Sequence, residues 1–164
     1  PRRSSDFILD ALRLAGVEFI LCKHENAAAF MAEAAWLRTG ALGILVGTVG
    51  PGVLNGVNAI ANAEQDRVPL IVLSGSVDAD EAESYTHQVL DQRAVLAPIT
   101  KMTLQLTAGA VHIQADKAVT TAMEGRLGPV YVDVPISVAD AMIPASALPA
   151  RPTDRKSTRL NSSH

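Results

Sequence analysis

Short aliphatic runs of strand length alternate along this chain with stretches whose apolar residues recur every three or four positions, a pattern that points to a parallel sheet covered by helices. Ile8, Ala11, Leu12 and Ala15 mark a first helix, and Gly16 stops it. Residues 17–22 form the first β-rich run. Residues 27–38 are Ala-rich, with Phe30, Ala34 and Leu37 on one face and Gly40 as terminator. Residues 41–46 supply a second strand, and Val53, Val57, Ile60 and Ala61 a further helical stripe. Residues 69–73 are a third strand, 75–91 a polar irregular stretch, and 99–106 a fourth strand. Val111, Ala115, Ala118, Val119 and Ala122 make another helix before a last strand over 130–134. The expectation is an α/β fold whose parallel sheet shows five strands, with helices on both faces.

Composition narrows the reading. The 164 residues are one domain's worth of chain, and with one Trp, two Tyr and three Phe the core must be built from Ala, Val, Leu and Ile. Cys22 is the only cysteine, which excludes an internal disulfide or a cysteine-cluster zinc site and fits a reducing, cytoplasmic setting. The apolar runs fall far short of the ~20 residues of a spanning helix. A net charge of −3 offers no basic face to nucleic acid. The domain is expected over residues 1–150. Pro1 in place of Met, followed almost at once by a helix, suggests a domain cut at its N-terminus. Residues 151–164, with four basic residues and no periodicity, read as a disordered tail foreign to the fold.

In parallel α/β sheets, ligands bind beyond the carboxyl ends of the strands. Three segments fall there. His24-Glu25-Asn26 puts Glu25 at a helix start, where a carboxylate either complements the helix dipole or serves a site. Gly47-Thr48-Val49-Gly50-Pro51-Gly52 is either a tight turn or a ligand platform, since glycine admits close backbone approach and proline suits a first helical turn. It matches neither a dinucleotide fingerprint nor a phosphate loop, which counts against an unrelated nucleotide-binding domain. The polar run from Tyr85 to Gln92 is either solvated loop or active site.

Taken together, Lys23-His24-Glu25-Asn26-Ala27-Ala28-Ala29-Phe30, Gly50-Pro51-Gly52 with Asn55, Val68-Pro69-Leu70, Pro98-Ile99-Thr100-Lys101 and residues 128–135 (GPVYVDVP) occur in a telling order. They resemble the N-terminal, pyrimidine-binding domain of thiamine diphosphate-dependent enzymes of the acetolactate synthase, pyruvate oxidase and benzaldehyde lyase group. The resemblance spans roughly residues 5–143. It implies a six-stranded sheet with one strand ahead of Pro1, and a chemistry that makes or breaks a C–C bond next to a carbonyl, as in decarboxylation or carboligation of 2-keto acids.

The resemblance also implies roles. Glu25 would hydrogen-bond N1′ of the cofactor's aminopyrimidine and favour its imino form, making it both a catalytic and a cofactor-binding residue. Thr48, Pro51, Gly52 and Asn55 would line the pyrimidine pocket. Gln88 would reach the substrate side of the thiazolium. The family's Phe-Gln-Glu reads His87-Gln88-Val89 here, so His87 is either a proton-transfer residue or an exposed loop histidine. His24 would support Glu25 or be a partly buried histidine, and Cys22 would pack in the core. Asp91 and Lys101 would pair or face solvent. No residue of this chain is expected to bind metal: Mg²⁺ would be held by a diphosphate-binding domain, whose Gly-Asp-Gly motif this chain does not contain. That domain, from a second subunit of a homodimer or homotetramer, would be the obligatory partner, and the isolated fragment would be inactive. A non-catalytic scaffold reusing the fold is the alternative.

Overall fold

The computed structural model describes residues 4–78, 80–84 and 88–141. The expected tail over 151–164, the domain end at 150 and His87 all lie outside them. Four strands form one parallel sheet: β1 (Gly43–Gly47), β2 (Leu70–Ser76), β3 (Met102–Gln105) and β4 (Pro129–Pro135), in the order β1-β2-β4-β3. Gly43 stands opposite Leu70, Leu70 opposite Pro129, and Met102 opposite Val130. All strand ends that follow a parallel strand therefore point the same way, and the loops leaving β1 and β2 meet at one edge of the molecule.

Side chains alternate across the sheet, so β2 sends Leu70 and Val72 to one face and Ile71 to the other. On the first face these join Leu45 and Tyr131 beneath α2 (Glu25–Thr39), α3 (Pro51–Leu54), α4 (Val57–Gln65) and α5 (Gln92–Leu96), which contribute Ala29, Val53, Ala59, Ile60 and Leu96. On the second, Ile71, Val130, Val132 and Val134 pack against Ala118 and Ala122 of α6 (Val111–Met123). Ile8 of α1 (Ser4–Leu14) and Ala139 of α7 (Ile136–Ala139) complete that layer. The parallel α/β class with helices on both faces is as the sequence predicts.

Two local expectations are corrected. Residues 17–22 are not a strand. A strand needs a neighbour ~4.8 Å away to satisfy its backbone, and no described strand lies beside this segment. Instead, a groove of about 600 Å³ separates Val17–Cys22 from β1, and Leu21 is 84% exposed. β1 is thus an edge strand, and the described sheet has four strands rather than five.

The buried face of α2 also differs from the sequence reading. Leu37 is 70% exposed and Ala34 lies at the surface, while Ala29 and Glu33 are buried and Ala32 and Trp36 partly so. The cause is backbone approach. A Cβ on Gly43 would meet the Ala32 carbonyl oxygen at 2.7 Å, so α2 lies against β1 at Ala32, with Trp36 packed on the core and Leu37 turned outward. The nominal helix after the glycine loop is likewise split by Asn55-Gly56 into α3 and α4. Among the described residues, no helix is long and apolar enough to cross a membrane.

Glu33 crosses from α2 to α4, where its Oε2 accepts from the Asn62 side-chain amide at 2.9 Å and its buried Oε1 has no hydrogen-bond partner. Burial, reinforced by the negative charge of Asp66, raises its affinity for a proton, and the Asn62 bond only partly opposes this. A carboxyl whose folded-state pKa is raised contributes its full stability below the ordinary carboxylate range and loses it as pH climbs through that range to the raised value. Urea midpoints measured from roughly pH 4 to pH 7 should therefore fall less steeply for Glu33→Gln than for the unsubstituted protein. Identical slopes would show that Glu33 ionises as though exposed.

Candidate functional site

The site begins at the first residue of α2. His24 is its N-cap: the extended backbone there lets the imidazole Nδ1 accept the Asn26 N–H at 3.1 Å. His24 is exposed rather than partly buried, and its support of Glu25 is indirect, through the helix start. Asn26 Oδ1 accepts the Ala59 N–H at 3.1 Å, which docks the end of α2 on α4. Glu25, half-buried between these anchors, accepts from the Asn55 side-chain amide through Oε2 at 3.1 Å. The carboxylate is thereby aimed across the end of β1, beside Thr48, where one end of the groove terminates.

Opposite it stands the loop that leaves β1. The Thr48 carbonyl accepts from Val53 N–H at 2.9 Å and from the Ser74 hydroxyl at 3.2 Å, which ties the loop to α3 and to β2. Pro51 occupies the first turn of α3, where no backbone donor is wasted, and its carbonyl accepts the Asn55 N–H at 3.1 Å. Gly52 lies so close to Thr48 that an added Cβ would collide with the threonine hydroxyl and stand 3.0 Å from its Cβ and 3.5 Å from Glu25 Oε1. Gly50 has φ +66° and ψ −122°, and a side chain there would strike the Gln88 carbonyl oxygen at 2.9 Å. Gln88 itself has φ +67° and an exposed side chain.

The structure thus gathers Glu25, Thr48, Gly52 and Asn55 within one contact network, with Pro51 at its margin and Gln88 beside Gly50. Three further residues underlie it to which sequence reasoning gave no site role, together with Gln92, the last residue of the polar run over 85–92. Gln92, Ser74 and Asp133 are buried polar groups, and Tyr131 is buried beside them. Gln92 accepts from the Gly50 N–H, and its amide nitrogen donates to the Gly75 carbonyl at 3.1 Å and to Asp133 Oδ1 at 3.0 Å. The Tyr131 hydroxyl donates to the same Asp133 oxygen. Burial raises the Asp133 pKa, against the hydrogen bonds from Tyr131 and Gln92 and the charge of Arg93, whose Nε is 3.8 Å away. Burial and the neighbouring carboxylate likewise push Tyr131 up, so its hydroxyl keeps the proton it donates. The signal available in the sequence was a polar residue inside an otherwise apolar run: Ser74 after Leu70-Ile71-Val72-Leu73 and Asp133 within Val130-Tyr131-Val132-Asp133-Val134.

The remaining candidates find structural roles. Asp91 caps α5 by accepting the Ala94 N–H at 2.9 Å, and Lys101 donates to the carbonyls of Thr121 and Glu124 at the end of α6, so the two do not pair. Cys22 is half-buried along the groove, its Sγ 3.5 Å from Met31 Sδ, rather than in the core.

Comparison with known families places this geometry. The family model for the thiamine pyrophosphate enzyme, N-terminal TPP binding domain, matches residues 1–95. The chain belongs to this family. Its relatives include a catabolic acetolactate synthase from Raoultella terrigena, 32% identical over 92% of this chain and 27% of that protein. The large subunit of acetolactate synthase isozyme 3 from Escherichia coli K12 is 36% identical over 87% of the chain and 25% of its own length. A 2-hydroxyacyl-CoA lyase from Saccharomyces cerevisiae is 32% identical over 78% of the chain and 23% of its own length. This TPP-binding domain therefore spans about a quarter of the length of the curated relatives it matches.

The contact between Gly52 and Thr48 in this TPP-binding domain is directly testable. Gly52→Ala should destabilise the protein by about 1–3 kcal/mol through overpacking, and combining it with Thr48→Gly should recover most of that loss in a double-mutant cycle of urea unfolding. Strict additivity of the two substitutions would mean that the residues do not meet.

Proposed function

We propose that this chain is the pyrimidine-binding domain of a thiamine diphosphate-dependent enzyme that makes or breaks a C–C bond next to a carbonyl, in the manner of an acetolactate synthase acting on a 2-keto acid. The observation that carries the reading is the Glu25 carboxylate held by Asn55 across from Gly52. The fit rests on that juxtaposition: Gly52 has no side chain where the loop passes Thr48 and Glu25, and Glu25 presents a carboxylate at the same place, an acceptor suited to a protonated ring nitrogen. When bound, the cofactor would supply an electron sink for the electron pair left on the substrate's carbonyl carbon as the adjoining C–C bond is made or broken.

On this reading each residue of the chain has a separable task. Glu25 holds a proton against the aminopyrimidine ring nitrogen and so sets its tautomer. Asn55 orients that carboxylate by donating to Oε2. Thr48, Pro51 and Gly52 bound the ring pocket, and Gln88 faces the substrate side with His87 beside it in sequence. Mg²⁺ and the diphosphate belong to a domain outside this chain, contributed by a second subunit of a cytoplasmic homodimer or homotetramer. The chain alone is expected to be inactive, because it carries only half of the site.

Glu25→Gln in the holoenzyme tests the reading. The amide keeps the shape of the side chain but cannot hold the ring nitrogen's proton, so turnover with pyruvate should fall on the order of 100-fold or more. The circular dichroism spectrum and thermal midpoint should stay near those of the unsubstituted protein. Chelation with EDTA should abolish turnover, and added Mg²⁺ together with thiamine diphosphate should restore it. Unchanged turnover in the Glu25→Gln variant would remove Glu25 from the mechanism.

A further inference from the structure

Gln92 makes no contact with Glu25, yet it is joined to the loop that faces it. It is 3% exposed, and its side-chain amide is engaged at both ends: Oε1 accepts from the Gly50 N–H, with the Ser74 hydroxyl 3.3 Å away, while Nε2 donates to the Gly75 carbonyl and to Asp133. The orientation of the amide follows from its neighbours. Turned over, it would set its oxygen against a carbonyl and a carboxylate, and its nitrogen against a backbone N–H.

Gly50 is where position matters. It is the N-cap residue of α3, it has no side-chain cap of its own, and its φ of +66° sets the direction in which the helix leaves. α3 has only four residues and little intrinsic persistence, so its placement is decided by what grips its start. Two groups do so: the Thr48 carbonyl through Val53 N–H, and Gln92 through Gly50 N–H. α3 in turn carries Gly52 to Thr48 and leads into Asn55, which holds Glu25. The Gln88 main chain abuts the same Gly50 four residues before Gln92, so one side chain fixes the cofactor-facing and substrate-facing loops against each other.

We propose that Gln92 is a positioning residue for cofactor binding: it locks the Gly50 turn to the Asp133 carboxylate at the end of β4, and so holds Gly52 and Asn55 where the aminopyrimidine needs them. This rests on the thiamine diphosphate reading above. Because Gln92 acts on the shape of the pocket and not on the reacting atoms, its loss should appear in cofactor affinity and leave turnover at saturation nearly intact. That distinguishes it from Glu25.

The test compares the unsubstituted holoenzyme with Gln92→Met, Gln92→Glu and Lys101→Met. Each is stripped of cofactor and titrated with thiamine diphosphate at fixed saturating Mg²⁺. Met has similar length but cannot accept from Gly50, and its half-saturating concentration should rise about tenfold, equivalent to about 1.4 kcal/mol, with turnover at saturation within about threefold of the unsubstituted enzyme. Lys101→Met removes the bonds at the carboxyl end of α6 and leaves the bonds of the Gly50 loop in place. It should lower the thermal midpoint yet leave half-saturation unchanged, so a general loss of stability cannot mimic the result. If Gln92→Met does not fold, Gln92→Glu carries the test, since it keeps an acceptor for Gly50 but sets a carboxylate against Asp133 in place of the amide donor; its half-saturation should also rise by at least about threefold. Half-saturation unchanged in the folded Gln92 variants, or raised equally in Lys101→Met, overturns the positioning role while the cofactor reading stands. Failure of the unsubstituted protein to bind thiamine diphosphate overturns the cofactor reading and this role with it.

Discussion

A carboxylate buried at the end of a parallel strand has to be given hydrogen-bond donors or it will not stay charged there, and the donors that Asp133 recruits organise the site end of this domain. Tyr131, from the same strand, and Gln92, from α5, both donate to it. Gln92 cannot satisfy Asp133 without also turning its carbonyl oxygen toward the Gly50 N–H. The electrostatic demand of one side chain on β4 is thereby transmitted through a rigid amide to the loop after β1. Neither the strand order nor the loop sequence specifies that connection by itself. Engagement of a buried amide at both its oxygen and its nitrogen gives it geometric definition, because any displacement of the loop would leave a polar group unpaired in a low-dielectric interior.

Close backbone approach sets the remaining geometry. Gly43 brings α2 onto β1 at the Ala32 carbonyl, and Gly52 brings α3 onto Thr48. The first contact fixes where α2 starts, and so where Glu25 stands; the second fixes the wall opposite it. The outward turn of Leu37 follows from the same packing, since the face that approaches the strand this closely is the one that carries Ala32. His24 and Asn26 then pin the helix start by capping and by docking on α4. Glu25 is consequently carried on a well-anchored first turn, a suitable base for a carboxylate whose direction matters.

Much of the architecture was legible in the chain. The alternation of helical stripes and β-rich runs specified a parallel α/β sheet, and the three segments singled out between elements contained Glu25, the Gly50-Pro51-Gly52 turn and Gln88. Periodicity failed where it had to stand in for a neighbour. Val17-Glu18-Phe19-Ile20-Leu21-Cys22 has the composition of a strand, yet composition supplies no hydrogen-bonding partner, and across the groove from β1 the segment finds none among the described residues. It failed again in α2, whose Ala-rich sequence fits several faces almost equally well.

The sequence by itself determined the class of fold, the family, and the short list of residues that gather around Glu25, because residue type, spacing and order along the chain are enough to encode local periodicity and a motif. Only the tertiary structure decided that Asn55 meets Glu25, that Gln92 spans from Gly50 to Asp133, and that Asp91 and Lys101 go to separate helix ends. Each of these joins groups separated along the chain or chooses among nearby partners. Such choices rest on a few tenths of an ångström of packing and on the cost of leaving a buried polar atom unpaired, and both come into being only when the elements are assembled.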